Sequence, residues 1–365
     1  MSRHNWDVFL FASWLDILHC RIFECTINNY FLIIDTNEPF GLNEVNLKNS
    51  RFFHVGRWVG PLVGLLFLCL ILWIATPHFL TVSNLTNVAQ QSSINAIISI
   101  GMTFVIITAG IDLSVGSVLA FVGVILASCL HAEIPLYLAI SIALLIGTLA
   151  GAINGILISW GKLPPFIVTL GMMSVARGGA LVLTGGRPIS GFDESFRELS
   201  NGTFLLIPLP IWIMIVFYIL AHFILTRTQF GRSTYAIGGN ETATYLSGIN
   251  VRFHKMMIYA ISGLTCSLAA ILLTSRLNSA QPLAGINYEL DAIAATVIGG
   301  TSLMGGEGCI SGTLVGALII QVLRNGLNLL NVSSNFQNIV IGSVIVVAAL
   351  LDNYLKTRSP RKNRD

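Results

Sequence analysis

Asp112 has the most unusual surroundings of any chemically capable side chain in this sequence, because it stands between two long apolar runs. The segment 110–117 around it is rich in glycine and serine, which interrupt the apolar pattern. An ionisable group at membrane depth is costly and is by default a candidate for function. The carboxylate could equally cap a helix beginning at Ser114 by accepting its free N–H groups. The sequence leaves both interpretations open.

Other polar side chains also interrupt apolar runs. We expect Arg177 and Arg324 to extend toward the outer membrane surface, as long basic side chains do, with a wet central pathway as the alternative. Four asparagines are better explained as helix–helix hydrogen bonds than as ligand contacts: Asn95, Asn154, Asn278 and Asn325. The candidates for lining or gating a polar path are Asn95, Asp112, Ser114, Asn154, Arg177 and Asn278.

Catalytic and nucleotide-binding motifs are missing from the sequence. It contains no HExxH pair and no G-x-S-x-G elbow. Gly161-Lys162 is followed by Leu163, which breaks the Walker A pattern. Cys20 and Cys25 lie beside His19, but their loose spacing does not predict a metal site. We therefore expect no catalytic residue, metal or cofactor on this chain, and ATP could drive it only through a partner subunit.

The composition predicts a membrane protein. Hydrophobic residues make up 54% of the 365 residues and charged residues 10%, against about 25% charged in soluble domains. This excludes a soluble globule and a disordered chain, and a net charge of +3 is too small to indicate nucleic-acid binding. A spanning helix needs about 20 mostly apolar residues. Dividing the apolar runs predicts an all-α polytopic protein with about ten spans, near 58–76, 94–111, 114–131, 136–160, 166–184, 210–226, 257–275, 290–306, 310–330 and 336–355.

The basic residues orient these spans. With the first helix running outward, only Arg187, Arg197 and Arg276 fall in outer loops, while the other loop and tail lysines and arginines from 51 onward lie inside. The positive-inside rule then predicts that both termini are cytoplasmic.

Three regions follow from the charge and hydropathy patterns. Residues 1–50 are acidic on balance and their apolar patches are too short to span a membrane. We interpret them as a poorly ordered cytoplasmic extension or as a wrongly assigned translation start. Residues 51–356 form the predicted transmembrane domain, and 357–365 a basic cytoplasmic tail.

Glycine is placed where helices could approach closely or break. Gly147, Gly151 and Gly155 share one helix face, which predicts tight internal packing or, alternatively, a dimer or gating seam. Five glycines in 299–308 predict a broken stretch that lines a cavity. Segments 95–120 and 291–316 share a weak similarity that suggests an internal repeat.

The longest basic connection, 226–255, contains one further element. Asn240 as N-cap and Gly248 just past the end predict a short helix at 241–246. Such a helix is a docking knob for a partner or a plain connector, and composition does not decide between them.

Four sequence blocks, at 101–117, 238–251, 279–303 and 326–330, carry a resemblance over about 51–356. The chain resembles the permease subunits of bacterial sugar ABC importers, and within that family the ribose importers most. The resemblance implies a homodimer in the bacterial inner membrane that imports a monosaccharide. It also implies a periplasmic sugar-binding protein and a cytoplasmic ATPase subunit that holds ATP and Mg.

The resemblance further implies an ATPase-coupling loop formed by Gly238, Gly239, Asn240, Glu241, Tyr245, Leu246 and Gly248. An ion-coupled secondary sugar transporter is the alternative, since such proteins carry functional carboxylates in their spans. The positions of Asp112, Glu289 and Asp291 near predicted span ends argue against it.

Overall fold

A computed structural model describes residues 48–358 of the chain. The predicted N-terminal extension, apart from its last three residues, and 359–365 of the basic tail lie outside the described residues. The described part is mostly helical with little strand, in agreement with the predicted all-α class. Its helices are α1 Lys48–Ala75, α2 Val82–Ile107, α3 Val115–His131, α4 Leu136–Ser159, α5 Pro165–Thr184, α6 Glu194–Asn201, α7 Leu209–Arg227, α8 Gln229–Gly239, α9 Glu241–Leu246, α10 Val251–Leu277, α11 Tyr288–Ile298, α12 Ile310–Leu329 and α13 Ser334–Arg358.

Four two-residue strands form two small antiparallel pairs. Strand β1 (Ile189–Ser190) pairs with β4 (Ser279–Ala280), with Ile189 opposite Ala280. Strand β2 (Thr203–Phe204) pairs with β3 (Ile207–Pro208) in a hairpin directly before α7.

Six helices of the described chain are long and apolar enough to cross a membrane: α2, α4, α5, α7, α10 and α12. Shorter apolar helical segments lie at Gly60–Ala75, Val115–His131 and Ser334–Val347. Each of the ten predicted spans overlaps a helix. Helix α1 begins at Lys48, ten residues before the predicted start near 58, and two boundaries further along the chain are also wrong.

One of these is the start of the second span, because α2 begins at Val82 and not near 94. The residues from Asn84 to Ser93 are rich in asparagine, glutamine, serine and threonine, which lowers their hydropathy. They are nevertheless helical. The side chains of Asn84 and Gln91 hydrogen-bond to residues of α12. A hydropathy average does not include such partners, and it therefore excludes these polar residues from the span.

The other is the end of the eighth predicted span. Helix α11 ends at Ile298, not near 306, and its 11 residues are too short to cross a membrane by themselves. Gly300 follows in the left-handed region with φ of 88°, a conformation that glycine adopts without steric cost. A Cβ at Gly299 would overlap the backbone of Gly312, so the break also lets α12 approach closely.

Helices α2 and α10 form the centre of the bundle. In the most apolar 18-residue stretch of each helix, 89% of the residues are buried in α2 and 72% in α10. The corresponding fraction is 22% in α4 and in α5 and 28% in α7. The outer helices expose leucine, isoleucine and phenylalanine, as the lipid-facing surface of a membrane protein does.

The predicted glycine face of α4 packs internally against α10. A Cβ at Gly151 would overlap the carbonyl oxygen of Tyr259, and one at Gly155 would approach the backbone of Met256. Gly147 lies against Ser267 and Gly263 in the same way. This small-residue face is therefore a contact within the chain, as the packing interpretation predicted.

The weak internal similarity coincides with a shared turn conformation at one matched position. Ala109 and Gly305 match in the alignment of the two segments, and both have positive φ, 58° and 81°. Ala109 N donates to Ile106 O at 2.9 Å, and Gly305 N donates to Ser302 O at 3.0 Å. The two breaks meet, because Gly306 N donates to Ile107 O at 2.8 Å.

Candidate functional site

Three of the predicted path residues meet at the break between α2 and α3. Asp112 Oδ1 accepts hydrogen bonds from Ser114 N at 3.0 Å and from Ser114 Oγ at 2.6 Å. Asn154 Nδ2, from α4, donates to Ser114 Oγ at 3.0 Å. We call Asp112, Ser114, Asn154 and the α10 residue Ser262 the break cluster.

Ser262 completes this cluster and was not predicted. Its Oγ donates to Asp112 Oδ2 at 2.8 Å, so the carboxylate receives donors from its own turn and from α10. Ser262 lies 150 residues from Asp112 in sequence. A single serine in an apolar helix does not indicate which distant residue it will bind. Within the described chain, Asn154 Oδ1 and the nearby Tyr259 hydroxyl are buried without a hydrogen-bond partner.

The geometry of Asp112 combines features of the two interpretations. It binds the Ser114 N–H just before α3, as a capping carboxylate does. It also links α10 and, through Ser114, α4. The carboxylate is 2% exposed and Asn154 is fully buried, so in this conformation the cluster joins helices through buried side chains.

Asn95 lies in a second polar group, between α2, α11 and α12. Arg324 Nη2 contacts the Asp291 carboxylate at 2.9 and 2.8 Å, and Asn95 Nδ2 lies 3.4 Å from Asp291 Oδ2. The expected extension of Arg324 to the membrane surface is thus wrong, because the guanidinium turns inward to a carboxylate that is 2% exposed. A buried carboxylate needs such a partner.

Further side-chain pairs continue this group along α2 and α12. Asn84 and Asn325 exchange two hydrogen bonds, at 3.0 and 2.8 Å. Gln321 Nε2 donates to Gln91 Oε1 at 2.5 Å, and the hydroxyls of Thr103 and Thr313 are 2.8 Å apart. We call the contact formed by these pairs and Asn95–Asp291–Arg324 the polar seam. As expected, Asn95 and Asn325 make helix–helix hydrogen bonds.

Arg177 and Asn278 lie elsewhere, and each holds a connection in place. Arg177 Nη1 donates to the carbonyl oxygens of Pro282 and Ala284 at 2.8 and 2.7 Å, in the connection between α10 and α11. Asn278 Oδ1 accepts from Phe192 N at 3.0 Å, beside the β1–β4 pair. The six predicted path residues therefore occupy separate places: a break cluster, a polar seam and two loop contacts.

The predicted short helix is present as α9. Asn240 Oδ1 caps it by accepting from Ala243 N at 2.9 Å, and Gly248 follows with φ of 84°. Tyr245 and Leu246 are 65% and 78% exposed on its surface. Glu241 pairs with Lys255 at 2.6 Å, so the helix presents apolar side chains beside an ion pair.

One of the two glycines before α9 allows the end of α8 to pack closely against neighbouring backbone. A Cβ at Gly238 would overlap the Ile107 carbonyl oxygen and crowd Gly306 N. The end of α8 therefore touches both breaks through backbone atoms. A Cβ added at Gly239 would meet nothing within 4 Å, so only the first of the two predicted glycines is required sterically.

Comparisons with known proteins identify a family of transport-system permeases. The family model described as "Branched-chain amino acid transport system / permease component" matches residues 84–349. The ribose import permease protein of Haemophilus influenzae is 51% identical, over 86% of this chain and 99% of that protein. That of Bacillus subtilis is 50% identical, over 84% and 95%.

A permease of another sugar system is more distant. The D-allose transport system permease protein of Escherichia coli is 40% identical, over 76% of this chain and 86% of that protein. No solved structure matches. The family match covers most of the chain and both breaks, and the chain belongs to this family of transport-system permease components.

Proposed function

We propose that the chain is the membrane-spanning subunit of an ATP-driven importer that carries ribose across the bacterial inner membrane. The observation that carries this proposal is the 50–51% identity to ribose import permeases over nearly their whole length. Identity falls to 40% with the D-allose permease, which favours ribose over that hexose. As a permease component, the chain is a transport subunit and not the ATPase.

The membrane arrangement within this proposal has ten spans and two cytoplasmic termini. Helices α2 and α3 would form one pair of spans around a break, and α11 and α12 a second pair. The extension 1–50 precedes a transmembrane domain of 51–356, and 357–365 forms a basic tail. Two copies of the chain would form the importer, as the resemblance implies.

The partners within this proposal divide the work. A periplasmic binding protein delivers the sugar, and a cytoplasmic ATPase subunit holds ATP and Mg. The coupling loop around α9 would receive the ATPase. Its support is the exposure of Tyr245 and Leu246 and the backbone contact from Gly238 to Ile107.

The path within this proposal passes groups that can bind sugar hydroxyls. The break cluster and the polar seam carry carboxylate, hydroxyl and amide groups at the bundle centre. Both are closed by internal hydrogen bonds, so they would open in another state of the transport cycle. Arg177 and Asn278 would hold the outer loops through which sugar enters.

Uptake of labelled ribose at micromolar concentration, in cells with and without this gene, tests the proposal. We expect loss of ribose uptake without the gene, together with sensitivity to vanadate. Uptake that persists for ribose but fails for another sugar would overturn the substrate and keep the mechanism. Collapse by an uncoupler at intact ATP would favour ion-coupled transport.

A charge reversal at Glu241 tests the coupling loop. Glu241 is 56% exposed and paired with Lys255, so we expect Glu241→Lys to leave the bundle intact but to reduce sugar-stimulated ATP hydrolysis. Unchanged coupling in this variant would count against the loop, whereas Glu241→Gln serves as the milder control.

A further inference from the structure

The connection between α11 and α12 exposes apolar side chains, as α9 does. Met304 is 84% exposed and Leu303 is 41% exposed. Single exposed apolar residues are common on protein surfaces. Met304 is unusual because it lies outside the candidate spanning helices, at the tip of a closely hydrogen-bonded turn.

The turn that carries Met304 is fixed on both sides. Ser302 N donates to Glu307 O at 2.9 Å, and Gly305 N donates to Ser302 O at 3.0 Å. Met304 N also lies 3.2 Å from Ser302 Oγ. Gly305 and Gly306 turn the chain back with φ of 81° and 74°, so the backbone holds Met304 outward.

The base of the turn rests on the coupling loop. Gly306 approaches Gly239 closely, and Gly305 lies near the Gly238 carbonyl oxygen. Tyr235 of α8 donates its hydroxyl to Gly308 O at 2.7 Å. The base of the Met304 turn therefore packs against the end of α8, and α9 begins directly after that end.

The character of the surface favours a protein over lipid as its occupant. The exposed Tyr245 and Leu246 of α9 lie on the same short helix as Glu241, which is 56% exposed and paired with Lys255. Ionised groups are expensive in hydrocarbon. An apolar centre with a charged rim is typical of protein–protein interfaces, and methionine adapts its shape to a partner surface.

We propose that the Met304 turn is a second docking point for the ATPase subunit, which grips the chain at α9 and at Met304 together. This inference rests on the proposed function. The occupant is an apolar groove on the ATPase, continuous with the surface that receives α9.

The two docking points both contact the end of α2. Gly238 and Gly306 both contact the Ile107 carbonyl group, at the end of α2. Ile107 stands five residues before Asp112 of the break cluster. Movement of the ATPase against either point would therefore press on the break that carries this cluster.

The test uses the full importer reconstituted in vesicles, with the ATPase subunit and the binding protein. A photoreactive benzoylphenylalanine at position 304 should form an adduct with the ATPase subunit. Met304→Asp should weaken ATPase binding about thirtyfold, the size of an interface hot-spot substitution. Met304→Leu should retain binding, because it keeps an apolar side chain.

Leu206→Asp is the matched control. Leu206 is 97% exposed at the β2–β3 turn, away from α8 and α9, so its substitution should leave ATPase binding unchanged. Adducts of position 304 with lipid alone, or unchanged binding of Met304→Asp, would overturn the inference.

Leu246→Asp separates this inference from the proposed function. If Leu246→Asp weakens ATPase binding and Met304→Asp does not, α9 alone receives the ATPase and the proposed function stands. If the wild-type complex neither binds the ATPase nor transports sugar, the proposed function itself fails.

Discussion

The α4–α10 contact and the polar seam of α2 and α12 hold helices together by opposite means. At the first, glycines bring backbones together, with Gly147, Gly151 and Gly155 facing α10. At the second, side chains keep the helices apart and hydrogen-bond across the gap, from Asn84–Asn325 to Thr103–Thr313. The glycine contact has no room for an added carbon, whereas the polar seam consists of exchangeable hydrogen bonds.

The difference has a physical origin in the membrane. Lipid is as apolar as leucine, so helices there associate through close packing and interhelical hydrogen bonds. Close packing gives a rigid joint, because separation loses every contact at once. Hydrogen-bonded pairs can exchange partners with water or with a sugar hydroxyl. We therefore expect substitutions in the two contacts to have different consequences.

The largest expected effect is at the buried ion pair of the polar seam. Arg324→Ala leaves the Asp291 carboxylate buried without its cation, which costs about 3 kcal/mol or more. We expect low abundance in the membrane and a strongly reduced thermal midpoint in detergent. The double substitution Arg324→Ala with Asp291→Asn should recover much of the loss. Wild-type stability of Arg324→Ala would show that the pair is dispensable.

The next effect is at the glycine contact. Gly151→Ala places a methyl group against the Tyr259 carbonyl oxygen, and overpacking of this kind costs about 1–3 kcal/mol. Thermal unfolding of the purified protein measures it. Gly171→Ala is the control, because nothing lies within 4 Å of a Cβ there. Equal midpoints for the two variants would contradict the rigid-joint description.

A smaller effect is expected at the Asn84–Asn325 pair of the polar seam. Asn84→Ala and Asn325→Ala each remove one member of a reciprocal pair, and a coupling of about 1 kcal/mol between them is expected. A double-mutant cycle on thermal stability measures this coupling. Additive losses would mean that the two amides do not stabilise the contact as a pair.

The smallest effect is expected where each hydroxyl has a second partner. Thr103 Oγ1 also lies 2.7 Å from Ser99 O, and Thr313 Oγ1 lies 3.2 Å from Cys309 O, so one hydroxyl donates to its own backbone carbonyl while the other donates across the contact. Thr103→Val should therefore change stability by about 0.5 kcal/mol. A loss as large as that of Arg324→Ala would show that this pair, and not the ion pair, dominates the polar seam.

Several features could be predicted from sequence because they depend on neighbouring residues. Helix α9 followed from Asn240 and Gly248, since caps act within one turn. The breaks around 110 and 299 followed from their glycines, and the packing face of α4 from its four-residue glycine spacing. Apolar composition established that the chain enters a membrane.

Other features needed the tertiary structure because their partners are distant in sequence. The start of α2 was wrong since its polar residues are satisfied by α12, more than two hundred residues away. Arg324 was assigned to the membrane surface because no residue near it in sequence indicates that Asp291 is its partner. Ser262 completes the break cluster from α10, where a lone serine has many uses.

The sequence by itself therefore determined the helices, their breaks, the short capped helix α9 and the kinship with sugar permeases. Only the tertiary structure decided which polar groups face one another: Asp112 with Ser262, Asp291 with Arg324, and the Met304 turn against Gly238 and Gly239. Hydropathy and capping are local properties of the chain. The pairing of buried polar groups is decided when helices far apart in sequence pack together and must satisfy each other's hydrogen bonds.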